Sequence, residues 1–259
     1  MTVIDLNADL AEHDVWTDGD AALLDHVTSA SLACGFHAGG PAVMRAAAAA
    51  CVEHGVVIGA HVGYRDRAGF GRRDLDVGAD RLAADVVEQW EALVDAAGTV
   101  GATVSYVKAH GALYNRMATD PEVAAVVVGA LADRCGAVVA PPASAVAGAA
   151  HGAGIRLVAE GFCDRAYDAG GLLVPRSDPR AMVEDPGAVG ARARSLAVDR
   201  RVEATDGSWV ALSVRTLCIH GDRDGAVVRA RAARAALARA GVPVRSFAAP
   251  DVPDVLDAP

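Results

Sequence analysis

Seven short runs of apolar and β-branched residues recur along the chain, most of them ending in polar side chains. They are VIDLNAD (3–9), ASLACGF (30–36), VVIGAHV (56–62), VSYVKAH (104–110), AVVAPPA (137–143), RLVAEGF (156–162) and TLCIHGD (216–222). Their length and composition read as β-strands. Amphipathic or Ala-rich segments separate them at 41–54, 79–98, 120–134, 144–153, 186–199 and 225–240. These read as helices: Pro41 and the Asp120-Pro121 pair supply start signals, and glycine follows 41–54 and 144–153 closely as a stop.

Strand alternating with helix predicts right-handed βαβ units and a parallel sheet, either a closed (β/α) barrel or a doubly wound open sheet. The polar residues favour the barrel. They stand at the C-terminal ends of nearly all the strands: Asn7 and Asp9, His37, His61, Lys108 and His110, Glu160 and Asp164, His220 and Asp222. An open sheet concentrates such groups at one switch point, whereas a barrel brings every strand end to one mouth. Two segments break the pattern. YRDRAGFGRRDLDV (64–77) is a loop long enough to imply a function. VEATDGSWVAL (202–212) reads as a hairpin turning at Asp206-Gly207. The expectation is one α/β domain over residues 1–241, with a Pro- and Asp-rich surface extension over 242–259 whose order the sequence does not define.

Composition narrows the function. Hydrophobic residues make up 53% of the 259 positions but aromatics only 4%, so the core must be built from Ala, Val and Leu. A net charge of −9 offers no cation excess for nucleic acid. No 18-residue apolar run predicts a membrane span, and the N-terminal MTVIDLNADLAE lacks the basic and apolar regions of a secretory signal. The five cysteines, odd in number and without a CxxC pair, read as reduced, buried thiols of a cytoplasmic protein. The expected partner is therefore a small molecule.

Lys108 is the sole lysine among 24 cationic side chains. An ammonium is a compact point charge that can also lose its proton when desolvated; a guanidinium is a planar, permanent cation. A site needing an ammonium beside a developing oxyanion or phosphate, or an amine of near-neutral pKa, would keep lysine here. An ion pair with Asp9 or Glu160 would place it in the mouth equally well. Asp9 shares a strand face with Asn7 and reads as a metal ligand, a base, an orienting group or a helix cap. His37, His61 and His110, at corresponding strand ends, would form with Asp9 a divalent-metal or acid–base cluster. Arg72, Arg73, Arg165 and Arg176 offer cations for a carboxylate or phosphate. Phosphate-binding P-loop, Rossmann and GxSxG signatures are absent from the sequence.

Seven segments also carry a family resemblance: IDLNADLAE, TSASLACGFHAGGPAVM, GVVIGAHVGYRDRAGFGRRDLDV, VKAHGALYN, EGFCDRAY, LVPRSDP and CIHGD. In this order, from about residue 3 to 240, they resemble the LamB/YcsF family, the A subunits of bacterial 5-oxoprolinase. The resemblance implies an irregular seven-stranded (β/α) barrel of the glycoside hydrolase and deacetylase type. It implies ATP-dependent opening of 5-oxoproline to L-glutamate, with ATP as co-substrate and subunits B and C as partners. Under that reading Asp9, His61, Lys108 and His110 form the catalytic set. Asn7, Arg72, Arg73, Asn115, Glu160, Asp164, Arg165, Arg176, His220 and Asp222 would bind substrate or phosphate. By analogy with related deacetylases, Asp9, His37 and His61 are the expected ligands of a divalent metal. Two other expectations compete: a stand-alone metal-dependent amidase or deacetylase, and a subunit that binds and assembles without catalysing. The chain departs from the family pattern where Ala8 and Ala11 replace a cysteine and a glycine, where Ala109 replaces a proline, and at Arg223-Asp224. The change after Asp9 leaves the placement of Glu12 open.

Overall fold

In the computed structural model, which describes residues 2–249, all seven predicted strands form. They are β1 (Asp5–Leu10), β2 (Ser29–Ala33), β3 (Val57–Val62), β4 (Val104–Ala109), β5 (Ala137–Ala140), β6 (Arg156–Phe162) and β9 (Thr216–His220). All pair in parallel in that order, and β1 pairs with β9 to close the barrel. Between β6 and β9 lies the predicted hairpin, β7 (Arg201–Glu203) with β8 (Trp209–Ala211), as a separate antiparallel ribbon.

Period-2 alternation divides each strand. Leu6, Ala8 and Leu10 of β1, Leu32 of β2 and Ile58, Ala60 and Val62 of β3 face the helices in one continuous core. The opposite face fills the barrel with polar groups. Asp5 accepts from the hydroxyls of Thr28, Ser29 and Thr216. Asn7 donates to Thr216 and Glu160, and Ser31 bonds the Tyr106 hydroxyl. Gly59 makes room for Tyr106: a Cβ there would stand 2.2 Å from its ring. Below Tyr106 the extension contributes to the fold. Residue Val244 bridges Ile4, and the buried Phe247 packs edge-on against Tyr106 at 5.1 Å, sealing the bottom. The remainder, 250–259, lies outside the described residues.

The helices are α1 (Asp18–Leu24), α2 (Pro41–His54), α3 (Ala79–Gly98), α4 (Gly111–Thr119), α5 (Pro121–Leu131), α6 (Ala145–Ala153), α7 (Pro186–Arg194) and α8 (Ala226–Arg239). Local chemistry accounts for the ends of several. Asp120 and Asp185 cap α5 and α7 through backbone N–H groups, and left-handed Gly55 and Gly154 end α2 and α6. A π-helical turn (Ser195–Asp199) completes the predicted 186–199 segment. Two helices were not predicted. Short, acidic α1 has little apolar pattern, and α4 follows β4 with only His110 between, on a left-handed Gly111 at φ 56°. No helix among the described residues is long and apolar enough to cross a membrane.

Candidate active site

The C-terminal strand ends converge on a cavity of about 510 Å³. Its polar wall includes Asp9, His61, Arg72, Lys108, His110, Asn115, Glu160, Arg165, Arg176 and His220; Tyr114, Phe162, Tyr167, Leu173 and Pro175 supply much of the rest. The mouth thus collects most of the residues expected there, from strands that are distant in sequence and adjacent in the barrel.

Lys108 lies at the floor, fully buried. Its Nζ is 2.8 Å from Asp9 Oδ1 and 2.8 Å from Glu160 Oε1. Burial opposes its charge, but Asp9, together with Cys218 and Glu160, outweighs this and holds Lys108 well above its ordinary pKa. The amine is therefore a fixed cation, and the near-neutral alternative does not apply. Burial also pushes Asp9 upward, yet His61, Lys108 and His220 bring it down to about 2. Glu160 moves the other way: burial raises its pKa, and Lys108 offsets this only in part. Its second oxygen, like the Tyr114 hydroxyl, is buried without a hydrogen-bond partner. Both atoms belong to residues that line the cavity.

His220 and Asp164 form an oriented dyad. Asp164 accepts from the His220 backbone N–H at 2.9 Å and approaches Nδ1 at 3.0 Å. That contact assigns the Nδ1 proton to the carboxylate side and leaves Nε2 as a free acceptor. The imidazole stacks on Phe162, with centroids 5.4 Å apart. Asp164 is ionised more readily than usual: burial raises its pKa, but His220 and the bonds it donates lower it further.

Behind the cavity wall, His37, His61 and His110 converge as expected. The carboxylate that meets all three is Glu12, whereas Asp9 is engaged by Lys108 and keeps its other oxygen 3.5 Å from His61 Nε2. One donor atom from each of Glu12, His37, His61 and His110 lies within 4.8 Å of the others. Burial lowers His37 to about 4 and His61 to about 3, which keeps both rings neutral near pH 7. Gly71, at φ 64°, runs so close that a Cβ would sit 2.9 Å from His110 and from His37.

The arginines separate. Arg72 bonds Asp222, and Arg176 lies 3.9 Å from the same carboxylate, so two guanidiniums share one counter-charge at the rim. Arg165 donates to the carbonyls of Ala181 and Val174 and staples the loop after β6; burial and Arg176 lower it to about 10. Arg73 leaves the site: it is bound to Asp66 within the 64–77 loop, its side chain 62% exposed. Asn7 lies below the floor, bonded to Glu160. The five cysteines are free and buried, and burial pushes Cys34 and Cys51 up to about 12. None is a nucleophile candidate.

Four functional positions were not among the expected site residues. Glu12 sits past the end of β1, in a turn whose direction the strand pattern does not carry. Tyr114 belongs to unpredicted α4, Phe162 ends β6, and Tyr167 lies in the loop that follows it.

A closed parallel barrel with charged and imidazole groups gathered at the C-terminal mouth defines a (β/α)-barrel protein of the kind that does small-molecule chemistry there. The chain belongs to the LamB/YcsF family, whose model matches residues 4–251. A Streptomyces griseus protein, named as the A subunit of 5-oxoprolinase, is 51% identical over 250 residues, covering 95% of this chain and all of the relative. A namesake from Mycobacterium avium is 48% identical over 251 residues, again 95% and 100%. Among solved structures, a lactam utilization protein from Thermus thermophilus matches with a TM-score of 0.88 and 38% identity, over 95% of this chain and all of that one.

Proposed function

We propose that this chain is the A subunit of a multi-subunit 5-oxoprolinase, which opens 5-oxoproline to L-glutamate at the expense of ATP. The observation that carries the reading is the match, from end to end, to relatives named for that activity. The cavity supplies suitable chemistry. A lactam is a poor electrophile, and phosphoryl transfer from ATP to its oxygen makes the ring carbon open to water. Lys108, a fixed ammonium, stabilises the negative charge that gathers on the substrate oxygens, an effect worth ~3 kcal/mol or more of barrier. His220, oriented by Asp164, takes the proton of the attacking water through Nε2. The ring C–N bond then breaks, the nitrogen takes a proton, and an acyl phosphate results. A second water releases phosphate and leaves glutamate. Arg72 and Arg176, two cations on one aspartate, leave a positive charge at the rim for the substrate carboxylate. Asp9 and Glu160 keep Lys108 charged and in place.

The test is glutamate release from 5-oxoproline by the purified chain, alone and with subunits B and C, with and without ATP. Release that requires ATP and the partners is the expected result. Release by the chain alone without ATP would establish a stand-alone hydrolase instead. Full turnover by partners mixed with Lys108 and His220 variants would reduce this chain to an assembly role.

A further inference from the structure

We infer that Glu12, His37, His61 and His110 form a binding site for one divalent transition-metal ion of the zinc type. The inference stands on the geometry of these four side chains and is independent of the oxoprolinase reading.

Proton accounting comes first. His61 Nδ1 faces the Lys108 carbonyl at 3.3 Å, and His110 Nε2 faces the Phe70 carbonyl at 2.9 Å. A carbonyl only accepts, so each of these nitrogens carries the proton. The opposite nitrogens, His61 Nε2 and His110 Nδ1, are then lone pairs, yet they face one another at 3.0 Å. Glu12 Oε1, a third acceptor, is 3.1 Å from His110 Nδ1 and 3.7 Å from His61 Nε2. His37 Nε2 completes the group 3.6 Å from the same oxygen. Three acceptors therefore converge without a donor among them, and His37, whose proton either ring nitrogen can carry, stands beside them. Glu12 Oε1 and both ring nitrogens of His37 are buried without any hydrogen-bond partner.

Such an arrangement needs positive charge at its centre, and distance distinguishes the two ways of supplying it. An added proton satisfies one contact near 3 Å, between His61 and His110 or between His110 and Glu12. It leaves His37 orphaned, because its 3.6 Å to Glu12 is too long for a hydrogen bond. A metal ion satisfies all four at once. With bonds of about 2.0–2.2 Å, tetrahedral ligand atoms stand roughly 3.3–3.6 Å apart. Four of the six separations, at 3.0, 3.1, 3.6 and 3.7 Å, bracket that edge, and the whole group lies within 4.8 Å. Three imidazoles select a zinc-type ion over magnesium or calcium. The outer shell is also built: the far nitrogens of His61 and His110 donate to backbone carbonyls, as those of metal-bound histidines commonly do. His37 and His110 stack in parallel, centroids 4.0 Å apart, so an ion shared by both draws one ring out of the stack. Because His61 and His110 also line the cavity, the ion would place a fixed positive charge directly behind its wall.

The test uses the full chain, stripped with a chelator and then dialysed against zinc or cobalt(II), with metal content read by mass spectrometry. One ion per chain is expected, with the visible bands of four-coordinate cobalt and a rise in melting temperature. Glu12→Gln and His37→Gln should weaken cobalt binding by more than ~100-fold, beyond the loss typical of an outer-shell change. Asp9→Asn should still bind one ion. Circular dichroism of the stripped variants separates lost binding from lost fold; if one variant is unfolded, the other decides. A folded wild-type chain that retains no ion would overturn the inference, with a shared proton on His61 and His110 by nitrogen-15 NMR as the replacement. Loss of the ion in folded Asp9→Asn would overturn the ligand set.

Discussion

The ammonium of Lys108 stands 2.8 Å from the carboxylate of Glu160, two strands away around the barrel, with both side chains sealed from solvent. Asp9 closes the cage at an equal distance. The chain's sole lysine thus holds two buried carboxylates and faces the cavity. Lys108→Met leaves both acids without a cation, and removing one partner of a buried pair costs about 3–5 kcal/mol. Turnover should fall by at least ~100-fold, the scale of a lost charge-stabilising donor. Adding Glu160→Gln should recover part of the stability and none of the turnover, as read by urea unfolding and glutamate release. Recovered turnover in the double variant would show that Lys108 matters only to the fold.

Asp164 fixes the tautomer and direction of His220 without reaching the substrate. Asp164→Asn keeps the size of the group but removes the charge that holds the Nδ1 proton in place. The expected result is a fall in kcat of about 100- to 10,000-fold with little change in KM. Steady-state kinetics on the reconstituted complex would decide it; a change confined to KM would make the pair a binding element.

Length and composition made the strands legible, and the polar ends then implied the barrel, because only closure gathers them all at one mouth. The pairings themselves were not legible. Asp164 and His220 are 56 residues apart and meet because β6 and β9 become neighbours once the hairpin between them is set aside. His110 looked like the last residue of a strand but is the N-cap of α4, which turns its ring toward Glu12. Arg73 looked equivalent to Arg72, yet consecutive loop residues point apart, one to Asp66 and the other to Asp222. Glu12 was hidden by the conformation of Ala11, which no periodicity describes.

Asp5 gives the barrel a pH-sensitive floor. Burial raises its pKa from 3.8 to about 6, despite hydroxyl bonds from Thr216, Thr28 and Ser29. A raised folded-state value means that its contribution is fully present below about pH 4 and is lost as pH rises through about 6. Asp5→Asn removes that loss. Its stability relative to the wild type should therefore climb between pH 4 and 7, by up to about 3 kcal/mol for a shift of roughly two pH units. Urea unfolding of both proteins across this range gives the difference directly. A constant difference would mean that Asp5 ionises as freely in the barrel as in the unfolded chain.

Ala11 lies at φ 61°, in the left-handed region. This turn at the end of β1 carries Glu12 back toward the three imidazoles. The position is buried, and the backbone around it is tight: a Cβ on Gly39 would approach the Ala11 carbonyl to 2.7 Å. An L-residue with a Cβ pays about 1–2 kcal/mol for this conformation. Glycine avoids that cost but loses roughly 0.5–1 kcal/mol through its freer unfolded chain. The balance predicts that Ala11→Gly stabilises the protein by about 0.5–1 kcal/mol, or a melting temperature higher by about 1–4 °C for a domain of this size. Ala11→Pro should fail to fold, since the proline ring forbids positive φ. Calorimetry on the Ala11→Gly protein would measure the gain. A lower melting temperature would show that the Ala11 methyl contributes more by packing than the left-handed turn costs.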